Sequence, residues 1–344
     1  MGSSHPSNSA HSPDALTARA PARLDGLRML FFGLGGVFSR LPLEALQRAG
    51  ADIRAVVTPA QSGLAISANG QASGDAPFLR LEPPARRMSR LALPLMGAAA
   101  PARSLRDLAA ASDAPLLSVS RLNDPVTLEA LAAFEPDVIC VACFTRRLPP
   151  ALLALPRLGC LNAHPSLLPC NRGPDPLFWT FHVGMTETGV TIHLMDARLD
   201  TGPIVAQSRT PLREGESEAA LEARLAALAG GLMVEALAGL RAGAITPRKQ
   251  DETRATTHSW PVAEDYHIPA SWPARRAYTF ASGVVERGEP VTITAADGAR
   301  FRLIEPLGYD PTDAPDFPWR LDGDRLRLTC APGVFTCRAV RDEK

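Results

Sequence analysis

Apolar residues gather into short runs separated by turn-forming residues. Arg28-Met29-Leu30-Phe31-Phe32 runs into Gly33-Leu34-Gly35-Gly36, Leu43, Leu46 and Ala49 then recur at helical spacing up to Gly50, and Ile53-Arg54-Ala55-Val56-Val57 is a second apolar run. Strand, glycine turn, helix and strand in that order open a parallel α/β domain. The alternation resumes with a helix over 104–111, a strand over 115–119, a helix over 127–134 and a continuous apolar strand over 138–143. Strands that are apolar at nearly every position predict a parallel sheet covered on both faces. A further strand over 159–164 and an alternating one over 189–195 follow. Leu221, Leu225, Leu228 and Leu232 form the core stripe of a helix that Ser217 can cap.

The pattern changes after about residue 255. One helical stretch, 272–280, precedes short β segments at 291–294, 300–304, 326–328 and 334–339, with Asp297-Gly298 and Asp322-Gly323 as hairpin turns. Antiparallel strands this short and close predict a small barrel-like second domain. The expected organisation is a disordered tail over 1–26, an α/β domain over 27–243, a linker over 244–260 and a C-terminal barrel-like domain over 261–344. Residues 60–100 are irregular and carry Arg86, Arg87 and Arg90, which reads either as a solvated insertion or as a grip on a substrate.

Composition adds exclusions. The 344 residues carry a formal net charge of zero, which disfavours non-specific nucleic-acid binding through the whole-protein field. The first 25 residues lack the apolar core of a secretory signal, and no apolar run reaches the ~18 residues of a membrane span. A cytoplasmic location is expected. Cys140 and Cys143 form a C-x-x-C, but they fall in an apolar strand and no second Cys/His pair with zinc spacing follows. Both are read as buried free thiols, and no metal is expected. The glycine turn after the first strand lacks the third glycine of a dinucleotide fingerprint, where Phe38 stands. It reads as a tight turn facing a substrate anion.

The chemistry concentrates in Asn162-Ala163-His164-Pro165-Ser166-Leu167-Leu168-Pro169, then Arg172-Gly173, Gly189-Val190-Thr191 and Asp200-Thr201-Gly202. Asn162 and His164 alternate on one strand, so they share a face. They stand at the carboxyl end of a parallel strand, where α/β sheets place their sites. Pro165 ends the ladder. Taken alone, such a pair is more often a turn cap and a satisfied core histidine than a catalytic pair. An amide donor, an imidazole and a carboxylate suit acyl chemistry: the amide can stabilise an oxyanion, and the other two can move the protons.

In order and spacing these segments resemble the formyltransferase family that includes methionyl-tRNA formyltransferase, glycinamide ribonucleotide formyltransferase and sugar N-formyltransferases. The shared pattern is N-x-H-x-S-L-L-P, R-G, G-V-T and L-D-T-G. The resemblance implies a Rossmann-like catalytic domain and an open-barrel (OB-like) C-terminal domain. It implies transfer of formyl from 10-formyltetrahydrofolate to an amine, with Asn162, His164 and Asp200 catalytic. It implies that Ser166, Leu167, Leu168 and Pro169 line the folate site and that Phe144, Thr145 and Leu148 wall the pterin pocket.

The acceptor is read three ways. Methionyl-tRNA fits the two-domain architecture, with Arg86, Arg87 and Arg90 replacing a basic loop of pattern P-D-[RK]-P-x-G-R-G. That pattern is absent after the second strand, where Thr58-Pro59-Ala60-Gln61-Ser62-Gly63 stands. A small amine such as an amino sugar nucleotide would use Phe178 and Trp179 as pocket walls. The third reading is a folate-binding module without catalysis. His193 is read as a core or supporting residue, His182 as a helix-surface residue, and His258 and His267 are without an identified partner.

Overall fold

The computed structural model describes residues 22–60, 79–81 and 102–342, so Arg86, Arg87 and Arg90 lie outside the described residues. The apolar runs become β1 (Arg28–Gly33), α1 (Val37–Arg48), β2 (Asp52–Pro59), β3 (Leu79–Leu81), α2 (Leu105–Ala111), β4 (Leu116–Val119), α3 (Pro125–Ala132) and β5 (Val138–Ala142). They continue as α4 (Pro150–Leu153), β6 (Cys160–His164), α5 (Pro176–His182), β7 (Glu187–Leu194), β8 (Ile204–Pro211) and α6 (Glu218–Arg241). The strands form one sheet in the order β3-β4-β2-β1-β5-β6-β7-β8. Successive residues of β1 explain its unbroken apolar run: Met29 and Phe31 enter the core on one face, Leu30 and Phe32 the core on the other.

The sheet is not parallel throughout. β4, β2, β1, β5 and β6 run parallel, whereas β3, β7 and β8 pair antiparallel to their neighbours. The antiparallel step matters for function, because β7 lies beside β6 with Asn162 opposite His193 and His164 opposite Thr191. Helix α6, capped by Ser217 Oγ on Ala220 N at 3.3 Å, crosses α1 closely. Gly230 permits the approach, since a Cβ there would meet Ala45 Cβ at 2.9 Å.

The C-terminal part forms a second sheet from β9 (His267–Pro269), β10 (Thr292–Thr294), β11 (Arg300–Asp310), β12 (Trp319–Asp322), β13 (Arg325–Thr329) and β14 (Val334–Arg341). Its order is β12-β13-β14-β11-β10-β9, antiparallel except for the β9–β10 pair, and α7 (Ala274–Val284) packs against it. The turns at Gly298 and Gly323 have φ of +85° and +60°, which glycine adopts without strain.

The two parts meet through α5 and α7. Phe178 is fully buried there, against Tyr266, Phe280 and the Arg287 guanidinium. It is thus a packing residue and not the wall of a substrate pocket. His182 is likewise no simple surface residue, since it stacks on Phe178 and meets Trp272 and Phe280 edge-on. Arg287 fastens this seam. Its Nη1 and Nη2 bind Asp175 at 2.7 and 2.8 Å, and Nη2 also donates to Glu218 at 2.8 Å. Asp175 caps α5 through Phe178 N and Glu218 opens α6, so one guanidinium ties both helix starts to the C-terminal part. Burial disfavours its charge, but the bonds to the two carboxylates outweigh burial and raise its basicity. For Glu218 burial wins, and its pKa is raised.

Arg287→Ala leaves two mostly buried carboxylates without a counter-charge. It is expected to lower unfolding free energy by about 3 kcal/mol, read as a shift in the urea midpoint. An unchanged midpoint would show that the clamp is energetically silent.

Candidate active site

The geometry starts from the end of β6. Asn162 and His164 project from the same face of the sheet, and the antiparallel pairing of β7 adds His193 and Thr191 to that face. Asn162 Nδ2 lies 3.2 Å from His193 Nε2, and His193 Nδ1 lies 2.9 Å from the carbonyl of Leu194. A carbonyl only accepts, so Nδ1 carries the proton of a neutral ring and Nε2 accepts from the Asn162 amide. Burial drives the His193 pKa down; Asp200 opposes the shift and His164 adds to it. The neutral ring therefore fixes the orientation of Asn162, with its N–H₂ end toward His193.

His164 is buried too, and its Nε2 faces the Asn171 carbonyl at 2.9 Å. By the same logic Nε2 carries a proton, leaving Nδ1 as the ring nitrogen able to take another. Nδ1 looks toward Asp200 Oδ2 at 3.8 Å, while His193 Nε2 lies 3.7 Å from the other oxygen, Oδ1. Asp200 is only 8% exposed, and its Oδ2 accepts from Gly173 N at 2.9 Å. Asn162, His164 and Asp200 are thus brought together, with His193 touching two of the three. Sequence reading placed His193 as a core or supporting residue; the usable signal was its alternation with Thr191 on a strand facing the Asn162 strand.

The remaining residues of the constellation occupy adjacent strand ends. Beyond His164, Ser166 Oγ donates to Cys170 O at 2.7 Å, so that hydroxyl closes its own loop. Thr191 Oγ1 donates to Ser166 O at 2.7 Å and accepts from Leu168 N at 3.1 Å, which moors the same loop to β7. Leu168 and Pro169 are buried and Leu167 is half-buried. At the top of β5, Phe144 packs edge-on against Phe32, Thr145 is exposed and Leu148 is buried in the core below. Cys143 corrects the reading of a buried thiol. The strand ends at Ala142, and Cys143 turns out to the surface with φ of +56°. Trp179 stacks on His258 at 4.4 Å and donates to Ser259 O at 3.0 Å, so His258 has a partner after all. His267 also has one, with Nδ1 3.1 Å from Thr292 Oγ1.

Sequence reasoning missed the contribution of the segment that links the two parts. Residues 248–258 lie along both site loops. Arg248 and Ile204 exchange backbone hydrogen bonds at 2.8 and 2.9 Å, Arg172 N donates to Thr256 O at 2.9 Å, and His258 N donates to Arg172 O at 2.9 Å. Gly173 is required here, because a Cβ would collide with the His258 carbonyl. Nothing in the local pattern of a polar linker signals that it will be recruited this way.

Comparison with known proteins identifies the family. The family model described as formyl transferase matches residues 28–237. The methionyl-tRNA formyltransferase of Pelobacter propionicus is 36% identical over 239 residues, covering 69% of this chain and 74% of that protein. The methionyl-tRNA formyltransferase of Chloroflexus aurantiacus is 36% identical over 278 residues, covering 78% and 80%. Among solved structures, the N-formyltransferase of Helicobacter canadensis, described in complex with folinic acid and dTDP-3-aminofucose, superposes with a TM-score of 0.61. That likeness covers 91% of this chain and 99% of that one at 14% identity, and it speaks for the fold. With 210 of its residues (28–237) matched by the family model, including those that carry Asn162, His164, His193 and Asp200, the chain belongs to the formyl transferase family.

Proposed function

We propose that this protein transfers the formyl group of 10-formyltetrahydrofolate to the amino group of methionyl-tRNA, with Asn162 and His164 as catalytic residues and Asp200 as the carboxylate that serves them. The observation that carries the reading is the polarised cluster at the end of β6: an amide held by a neutral histidine, beside a second histidine whose Nδ1 faces a buried carboxylate. Ser166, Leu167, Leu168 and Pro169, with Phe144, Thr145 and Leu148 on the neighbouring strand end, would flank the folate.

The amine nitrogen attacks the formyl carbon and forms a tetrahedral intermediate. One Asn162 N–H is directed to His193, and the second is free for the oxyanion. The attacking nitrogen must lose one proton, and N10 of the folate must gain one as its bond to the formyl carbon breaks. His164 Nδ1 is the ring position that can carry this proton, with Asp200 stabilising the charge while it is held there. The products are the formamide and tetrahydrofolate.

The acceptor is argued from the curated relatives, which bear the name methionyl-tRNA formyltransferase and align over about three-quarters of their own length. In this reading Arg86, Arg87 and Arg90 take the place of the family's basic loop. A small amine is the second reading, favoured by Thr58-Pro59-Ala60-Gln61-Ser62-Gly63 where that loop's basic pattern would stand. The domain division at 244–260 belongs to the same proposal.

Asn162→Ala and His164→Ala are each expected to lower kcat by roughly 10²–10³-fold while leaving folate binding intact. Single-turnover kinetics with parallel folate titration tests this, and near-normal turnover would sink the assignment. Offered methionyl-tRNA or a panel of amino sugar nucleotides, the enzyme is expected to formylate the tRNA. Replacing Arg86, Arg87 and Arg90 with alanine should weaken tRNA binding and flatten its salt dependence. Turnover on an amino sugar nucleotide, with no effect of the arginine changes, would transfer the assignment to the small amine.

A further inference from the structure

Asp200 is built into an unusual piece of backbone. Its φ is +55°, a left-handed conformation that costs most side-chain-bearing residues free energy, and Gly202 follows where a Cβ would collide with the Leu194 carbonyl. What holds this turn comes from far along the chain. Gln250 Nε2 donates to the Asp200 carbonyl and to the Gly202 carbonyl, both at 2.8 Å. Gln250 Oε1 accepts from Arg172 Nε at 3.2 Å and Nη2 at 2.8 Å. All four hydrogen-bonding positions of this buried amide are therefore used. Arg172 is buried as well and is bidentate to Glu252, with both contacts at 2.9 Å.

These bonds close a ring. Arg172 precedes Gly173, Gly173 N binds the Asp200 carboxylate, the Asp200 carbonyl binds Gln250, and Gln250 binds Arg172. Asp200 is gripped at both ends, by its carboxylate and by its backbone. Moving the carboxylate away from Gly173 N breaks part of the ring. Gln250 touches none of the side chains placed at the reacting centre, and it reaches Asp200 only through the backbone carbonyl.

We infer that Gln250 is a positioning residue for formyl transfer, acting through Asp200, and that the linking segment is consequently part of the active site and not a passive tether. The inference rests on the formyl-transfer reading for its kinetic consequence and on the ring alone for its structural one. Gln250→Met preserves length and volume but removes every polar contact. It is expected to lower kcat by roughly 10²-fold, the scale of a misplaced catalytic group, with KM for 10-formyltetrahydrofolate unchanged. In the Asp200→Asn background the same change is expected to add little further loss, because the carboxylate through which Gln250 acts is already gone. A residue that merely stabilised the fold would show its full effect in both backgrounds, and that additive result would overturn the inference.

A second readout does not depend on turnover. The buried Gly173 amide is protected by Asp200 Oδ2, so its hydrogen exchange, followed by NMR on the full chain, should accelerate in Gln250→Met while amides of β5 keep their rates. Unchanged Gly173 exchange would overturn the inference even if the wild-type protein formylated no acceptor tried, an outcome that would instead defeat the functional reading. Gln250→Glu keeps a partner for Arg172 and loses the N–H donors. It serves where the methionine variant does not fold, with the same kinetic and exchange pattern expected.

Discussion

A carboxylate taken almost wholly out of water must find partners, and the arrangement of this protein's site follows from satisfying one. Asp200 sits between two histidine rings, accepts a backbone N–H from Gly173 and is fixed through its carbonyl by Gln250. Each partner comes from a different stretch of chain: β6, β7, the loop after β6 and the linking segment. Burying an unpaired charge costs several kcal/mol, so these segments are stable together in a way they are not apart.

The antiparallel turn in the sheet is what makes that convergence possible. With β7 running against β6, cross-strand neighbours share a face, and Asn162, His164, Thr191 and His193 form one polar patch beside the apolar layer of Phe32, Val57 and Val141. Had β7 been parallel, a long crossover would have separated it from the loop that Thr191 now moors. The neutral state of His193 has a structural consequence in the same place. A ring that accepts from Asn162 sets which end of the amide points to it, which a protonated ring would reverse.

The C-terminal part contributes through two attachments of different character. At the α5–α7 seam an aromatic cluster around Phe178 supplies area, and Arg287 supplies direction by binding two helix starts. Along the linking segment the contacts are polar and specific, and they reach the site itself. The seam holds the two parts together, while the segment is bonded to the loops around Arg172 and Asp200.

Much of this was legible in the amino-acid sequence, and the division follows the range of the forces involved. Apolar runs over 28–32, 53–57 and 138–143 identified buried strands because both faces of a central strand must leave water. Period-two spacing put Asn162 and His164 on one face, and the ordered motif from Asn162 to Gly202 carried the family. Hairpin turns at Gly298 and Gly323 follow from local backbone preference. Long-range pairing decided the rest. The end of β5 at Ala142 exposed Cys143, which the apolar run over 138–143 made a core residue. Packing of α5 on α7 took Phe178 from a pocket wall to the seam. His193 gained its place only when β7 came to lie against β6. Gln250 stands in a polar stretch with no local signal; only the folded chain, by bringing that stretch against a left-handed turn fifty residues earlier, gives its amide two carbonyls to hold.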